Sequence, residues 1–418
     1  MPRDPSSVLV IGSGVIGAAT AYYLAQAGSR VTILDRGQFG HGASHGNCGY
    51  VCPSHVLPLA VPGAIRGALS SMFRPNAPFY IPPRLDPALW GWLLRFAGNC
   101  HTDQVNRTAI ARHALLQSSR RLYEELLNGS LTDCEWEPIG ILFVYQTQAE
   151  FDHFAAIDRR LTMEFGVSAE PLNGTQLVEL EPAIKPGMAG AWYYRCDGHL
   201  RSDHLMKSWR RVLEAAGVEI RDQTEFLNFR QEAGRAVAAR TSAGEMTADS
   251  YVMAAGAWTG RWASELGCTL PIQPGKGYSL TMPRPRLCPK YPMILEEHRV
   301  AVTPWKSGYR LGSTMELGVF DDSINPQRLG LLTSGAAHYL HEPACEPVLE
   351  RWAGLRPMSA DDLPIIDFSP RLENVFIAAG HGMVGVAMSP ATGRLAAELL
   401  LGLPPHVEPG AYRVGRFG

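Results

Sequence analysis

Residues 8–35 constrain this chain more tightly than any other stretch. Val8-Leu-Val-Ile11 is an apolar run of strand length, and Gly12-Ser-Gly-Val-Ile-Gly17 sets three glycines in a G-x-G-x-x-G pattern. Ala18 to Ala27 continues at helical spacing up to the stop signal Gly28, and Val31-Thr-Ile-Leu-Asp35 is a second apolar run that ends in an acid. This order spells a β-α-β unit that binds a dinucleotide. Gly12 makes the tight turn, Gly14 lets backbone approach a pyrophosphate, and Gly17 lets the helix pack close on the strand. The pyrophosphate belongs on the helix N-terminus, beside Val15 and Ile16, where free N–H groups favour an anion. Asp35 closes the second strand, where a carboxylate bonds both ribose hydroxyls, which argues against a 2′-phosphate. The motif leaves NAD and FAD both open.

At 418 residues the chain exceeds one ordinary core, so two domains, or one large α/β unit with a second layer, are expected. A formal charge of −2 with interspersed signs gives no basic face for nucleic acid. Eight cysteines scattered along a chain without a secretory leader imply a reducing, cytoplasmic setting rather than a disulfide framework. No run of about eighteen apolar residues offers a membrane span. The aromatic stretches 73–81 and 89–96 leave two readings open, the core of a second domain or peripheral contact with the inner membrane.

Farther along, helical patterns cover 101–127, 147–165, 205–216 and 390–401, with strand-like runs at 140–145 and 218–222. Tyr251-Val-Met-Ala-Ala-Gly-Ala-Trp258 and Val375-Phe-Ile-Ala-Ala-Gly380 both read as apolar strands ending in glycine, so the dinucleotide domain is expected to be assembled from separated pieces. One cluster raises a metal question: His45, Cys48, Cys52 and His55 are types that zinc prefers. Three residues separate Cys48 from Cys52 and no second Cys/His module follows, so no metal is expected.

Several further motifs stand out: Asp35-Arg36, Gly46-Asn-x-Gly49, Ala254-Ala-Gly-Ala-Trp258, Lys276-Gly-Tyr-Ser-Leu-Thr281, Val302-Thr-Pro304, Gly354-Leu-Arg-Pro-Met358, Asp362-Leu-Pro364 and Ala379-Gly-His-Gly382. With the glycine fingerprint they span nearly the whole chain, which resembles the D-amino-acid oxidase superfamily of FAD-dependent oxidoreductases and, within it, the bacterial D-amino-acid dehydrogenases. The resemblance implies non-covalent FAD, a Rossmann-like FAD-binding domain discontinuous in sequence, and an α+β substrate domain whose antiparallel sheet roofs the flavin. Residues 1–75, 196–272 and 349–418 would form the first domain, and 76–195 and 273–348 the second.

It also implies roles. Ser44, Asn47, Cys48 and Gly49 would lie on a flavin-facing loop; Ala255, Gly256 and Trp258 would form a second contact. Gly380, His381, Gly382, Met383, Val384 and Gly385 would turn backbone N–H groups toward the flavin. Arg356 is the expected clamp for a substrate carboxylate, because a guanidinium meets a carboxylate through two parallel bonds. Tyr278 either completes that clamp or is core. His55, within reach of the substrate pocket, is a candidate catalytic residue; Tyr50 is expected in that pocket, Met315 either lines it or packs in the core, and Lys276 either runs beside the active site or is solvated. Ala301, at a position where glycine oxidases have a tyrosine, widens the pocket. The implied reaction is hydride transfer from the α-carbon of a D-amino acid or D-proline-type substrate to the flavin, with a quinone or other electron-transfer acceptor. A glycine- or sarcosine-type oxidase using oxygen, and a zinc- or dinucleotide-binding regulatory protein, are the alternatives. Oligomeric state is not legible.

Overall fold

The computed structural model describes residues 7–65, 77–82, 84–318 and 320–418. Its first sheet has six strands in the order Ile365–Phe368, Val375–Ala379, Ser250–Met253, Ser7–Ile11, Arg30–Leu34, Glu219–Arg221. All neighbours run parallel except the antiparallel pair at the Ile365–Phe368 edge. The sheet therefore draws on three distant parts of the chain. Helix Val15–Gln26 follows the first strand, and its neighbour in space is the C-terminal helix Gly385–Leu400. The two helices cross at Gly393, where a Cβ would sit 2.5 Å from the backbone carbon of Ala19. Only glycine permits that contact.

The C-terminal helix begins five residues before the expected Pro390, which lies inside it. Proline removes the N–H that would bond the carbonyl of Val386. Tyr123 Oη donates to that carbonyl at 2.8 Å and Ser389 Oγ at 3.0 Å, so the acceptor is satisfied and the helix continues. The other helices fall close to expectation, at Thr102–Asn128, Gln148–Phe165 and Ser202–Ala215.

The second sheet is larger. Along it run Glu350–Ser359, Ile272–Met282, Gly308–Leu317, Val300–Trp305, Met293–Leu295, Ile141–Tyr145, Gly190–Tyr194 and Glu170–Asn173, with Phe79–Tyr80 added beside Gly308–Leu317. Directly opposed residues share a face of a sheet. One row across it reads Trp352, Ser279, Gly312, Ala301, Ile294, Phe143. Strand Glu350–Ser359 departs from the expected division. It falls in the piece assigned to the dinucleotide domain, yet pairs with Ile272–Met282 over ten residues. Gly354 and Pro357 interrupt the strand pattern in the sequence, and the strand forms the edge of the sheet, where proline is tolerated.

Of the aromatic stretches, residues 73–76 lie outside those described. Residues 89–96 belong to helix Pro87–Asn99, which buries Leu89 and Trp92 and leaves Trp90 and Leu94 exposed. Among the described residues, no helix is long and apolar enough to cross a membrane.

Candidate active site

A cavity of about 1740 Å³ lies between the two sheets. Small-molecule pockets span roughly 300–1,000 Å³, so this one has room for more than a drug-sized ligand. At one end is the glycine turn. Gly12 holds φ +109°, and a Cβ there would lie 2.4 Å from the carbonyl oxygen of Ala254. Gly17 stays out of the cavity; its missing Cβ lets Gly12 O come within 1.9 Å of where that atom would be, which is helix-on-strand packing. Gly14, Val15 and Ile16 line the cavity at the helix N-terminus, where the first turn carries no acid and Gly14 has no side chain to cap it. Ser44 Oγ accepts from Val15 N at 2.9 Å, which leaves the hydroxyl proton of Ser44 available.

Asp35, at the end of the second strand, accepts from Ser13 N and Ser13 Oγ on one oxygen and from Gly37 N on the other. The carboxylate is thereby fixed facing the cavity it lines. Arg36 lies 3.7 Å over the Trp258 ring, a cation–π contact that joins the second strand to the turn at Ala255 and Gly256. A dinucleotide has here an anion site, a ribose acceptor and glycines for close approach, so the residues present fit one.

The loop after the second strand forms the middle of the cavity, with Ser44, Asn47 and Cys48 on its lining. Cys48 faces Gly312, where a Cβ would meet its sulfur at 2.4 Å. Burial pushes the Cys48 thiol up, so it stays protonated. Cys52 is buried with its thiol likewise raised, and His45 Nε2 lies 2.7 Å from Glu350 Oε1. Gly49 departs from expectation. It stays outside the lining, and the close approach it permits is to the carbonyl of Leu200 in the neighbouring chain segment. Gly380, the other exception, ends its strand at φ +81° against Ser359, while His381, Gly382, Met383, Val384 and Gly385 line the cavity. His381 Nε2 is 3.0 Å from Thr392 Oγ1, and burial lowers its pKa to about 3.

At the far end stands Arg356. Its guanidinium lies over Gly277, where a Cβ would be 2.0 Å from Nη1, and Nη1 donates to Thr314 O at 3.0 Å. That carbonyl is aimed by a bulge: Lys276 pairs with Glu316 but Tyr278 with Ser313, and Ser313 and Thr314 both take positive φ. Among the described residues no carboxylate pairs with Arg356, and burial works against its charge. A cavity-facing cation of this kind favours an anionic guest.

Tyr278 and Lys276 are not in this site. Alternation along a strand sends them to the face opposite Gly277, where Tyr278 Oη donates to Glu316 and Lys276 Nζ pairs with Asp321 at 2.7 Å. Tyr50 lines the cavity with its ring alone, because its hydroxyl lies 2.8 Å from both Met293 O and Val302 O. Met315 lines it too. His55 packs edge-on to Phe143 and burial lowers its pKa to about 4. That value is below the unfolded 6.5, so the stability neutral His55 contributes is full above about 6.5 and is lost as pH falls toward 4.

Sequence reasoning missed three supporting residues. Arg112 pairs with Asp362 at 2.9 Å and donates to the carbonyls of His55 and Val56, tying two lining segments together. Trp352 lies against the Cα of Gly46, where a Cβ would be 2.0 Å from its ring. Arg310 is fully buried behind the Asn47 loop. No pattern in the sequence separates such arginines from surface ones.

The chain is similar to known proteins over nearly its whole length. D-amino acid dehydrogenase from Granulibacter bethesdensis is 31% identical over 419 residues, covering 98% of this chain and 99% of its own length. The enzyme of that name from Methylobacterium nodulans is 34% identical over 411 residues, 96% of each. Among solved structures, glycine oxidase from Geobacillus kaustophilus matches with TM-score 0.77 at 23% identity over 97% of each chain. L-proline dehydrogenase from P. horikoshii matches with TM-score 0.73 at 18% identity, over 100% of this chain and 98% of its own. At those identities the structures speak for the fold alone. The family model for FAD dependent oxidoreductases of the DAO type matches residues 7–399, and the chain belongs to that family.

Proposed function

We propose that this enzyme oxidises a D-amino acid at its α-carbon and passes the electrons to a quinone or other electron-transfer acceptor. The observation that carries the proposal is Arg356: a half-buried guanidinium that, among the described residues, has no carboxylate partner, in the same cavity as the glycine turn and Asp35. Arg356 binds the substrate carboxylate and so orients the α-carbon. FAD, when bound, would supply the acceptor for the hydride, a proton with its two electrons, that leaves this carbon. The imino acid product is hydrolysed by water to a 2-oxo acid and ammonia, unless it is cyclic. The names of the full-length relatives support a D-amino acid.

Ala301, Phe143, Ile294 and Phe154 also line the cavity, and this added apolar room supports a substrate with a side chain over glycine. Exposed Trp90 and Leu94 support peripheral contact with a membrane or an apolar acceptor. Eight free thiols support a reducing compartment such as the cytoplasm.

Assaying D- and L-amino acids and hydroxyprolines with a dye acceptor tests the substrate, and stopped-flow reoxidation of the reduced enzyme by air tests the acceptor. Turnover of D-configured substrates with slow reoxidation is expected; fast reoxidation would make the enzyme an oxidase. A pH profile adds a check. His55 and His381, held at about 4 and about 3, stay neutral above about pH 5, so neither titrates in the neutral range. The value of kcat/KM should rise with pH as the substrate amine loses its proton. An inflection near the ordinary histidine range that vanishes in His55→Asn would contradict this.

A further inference from the structure

Arg310 is 0% exposed and does not touch the cavity, yet it holds the loop that does. Its Nη1 donates to His45 O at 3.0 Å and to Asn47 O at 2.8 Å. Ser202 Oγ, itself within 3.0 Å of that nitrogen, lies 2.9 Å and 2.7 Å from the same two carbonyls. The rest of the guanidinium is anchored in the second sheet and beside the Ser202 helix. Nε donates to Thr281 Oγ1 at 3.0 Å, Nη2 lies 3.3 Å from Glu350 and 3.7 Å from Asp203, and the group packs 4.9 Å from the Trp305 ring centroid.

In a trans peptide the C=O and N–H point in opposite directions. The carbonyl of His45 shares its plane with the N–H of Gly46, and that of Asn47 with the N–H of Cys48. Because Arg310 and Ser202 hold both carbonyls on the side away from the cavity, both N–H groups turn to the side on which residues 46–48 line it. Among the described residues, neither N–H has a hydrogen-bond acceptor.

We propose that Arg310 is a positioning residue: with Ser202 it fixes two peptide planes so that the N–H groups of Gly46 and Cys48 are presented to bound FAD and favour its reduced form. The inference rests on the reading that FAD lies along this loop. Reduction adds negative charge to the polar edge of the group, and preorganised backbone donors stabilise charge where it develops. The effect comes through geometry rather than the charge of Arg310, because Asp203 and Glu350 sit beside the guanidinium and offset it.

The test measures the midpoint potential of FAD in the purified holoenzyme by dye equilibration, for the parent, Arg310→Lys and Ser202→Ala. Arg310→Lys keeps the charge and loses the fork; Ser202→Ala removes a neutral donor to both carbonyls. Both should favour the oxidised form, by roughly tenfold and threefold, and a tenfold change is about 30 mV for a two-electron couple. kcat should fall with little change in KM. An unchanged potential in Ser202→Ala with FAD retained overturns the proposal, and this variant decides alone if Arg310→Lys does not fold. Parent potential in Arg310→Lys beside a lowered one in Arg310→Met also overturns it, by assigning the effect to charge. Failure of a D-amino acid to reduce the parent enzyme would strike the proposed reaction instead, leaving the potentials interpretable.

Discussion

Replacing Arg356 with alanine should lower kcat/KM by roughly 30-fold to several-thousand-fold and leave a folded protein that still binds FAD. Truncating one partner of a buried charge pair costs about 2–5 kcal/mol, which sets that range. The fold should survive because, among the described residues, the guanidinium has one hydrogen bond, to Thr314 O, and its loss strands no carboxylate. Gly277 beneath it leaves space that water fills. Arg356→Lys should recover only part of the loss, since an ammonium cannot offer the two parallel bonds. Steady-state kinetics with dye acceptor, alongside the FAD content of each variant, checks this. Parent-like kcat/KM in Arg356→Ala would remove Arg356 from the site.

Gly14→Asp should separate fold from function at the opposite end of the cavity. Gly14 has extended N-cap geometry, φ −62° and ψ 174°, and its missing Cβ would meet only Ser44 Oγ at 3.5 Å. Aspartate suits that position, since its carboxylate caps the first turn of the helix. The apoprotein should therefore be at least as stable as the parent. The same carboxylate occupies the anion site, and two unit charges about 5 Å apart at an effective dielectric of ~20 repel by about 3 kcal/mol. FAD affinity should fall by more than roughly a hundredfold, read by titrating apoprotein with FAD. Parent-like affinity would contradict a pyrophosphate at this helix terminus.

The parts of the fold legible in the sequence are those built from local pattern. The first β-α-β unit combines apolar runs, glycines at fixed offsets and a terminal acid, each dictated by steric or electrostatic need within about thirty residues. The strand ends at Ala255 and Gly256 and at His381 and Gly382 carry the same local signature. The candidate site depends instead on register. Lys276 and Tyr278 lie one step along the strand from Gly275 and Gly277, and only pairing with Glu350–Ser359 shows which of the two sets faces the cavity. Strand Glu350–Ser359 was hidden by its glycine and proline, and a bulge at Ser313 and Thr314 depends on the whole sheet. Arg112 and Arg310 were invisible for a related reason. What makes each a hub is the convergence of carbonyls from segments far apart in sequence, which composition and spacing do not record.

In the proposed reaction one cavity holds FAD at the glycine turn and a D-amino acid at Arg356 in reach of each other. Mixing the purified yellow enzyme with a D-amino acid under argon tests it in a single measurement. Rapid bleaching of the visible flavin absorbance is expected with D-amino acids bearing a side chain, and none with their L-enantiomers. Flavin that stays oxidised with every D-amino acid, or that bleaches equally with the L-forms, would contradict it.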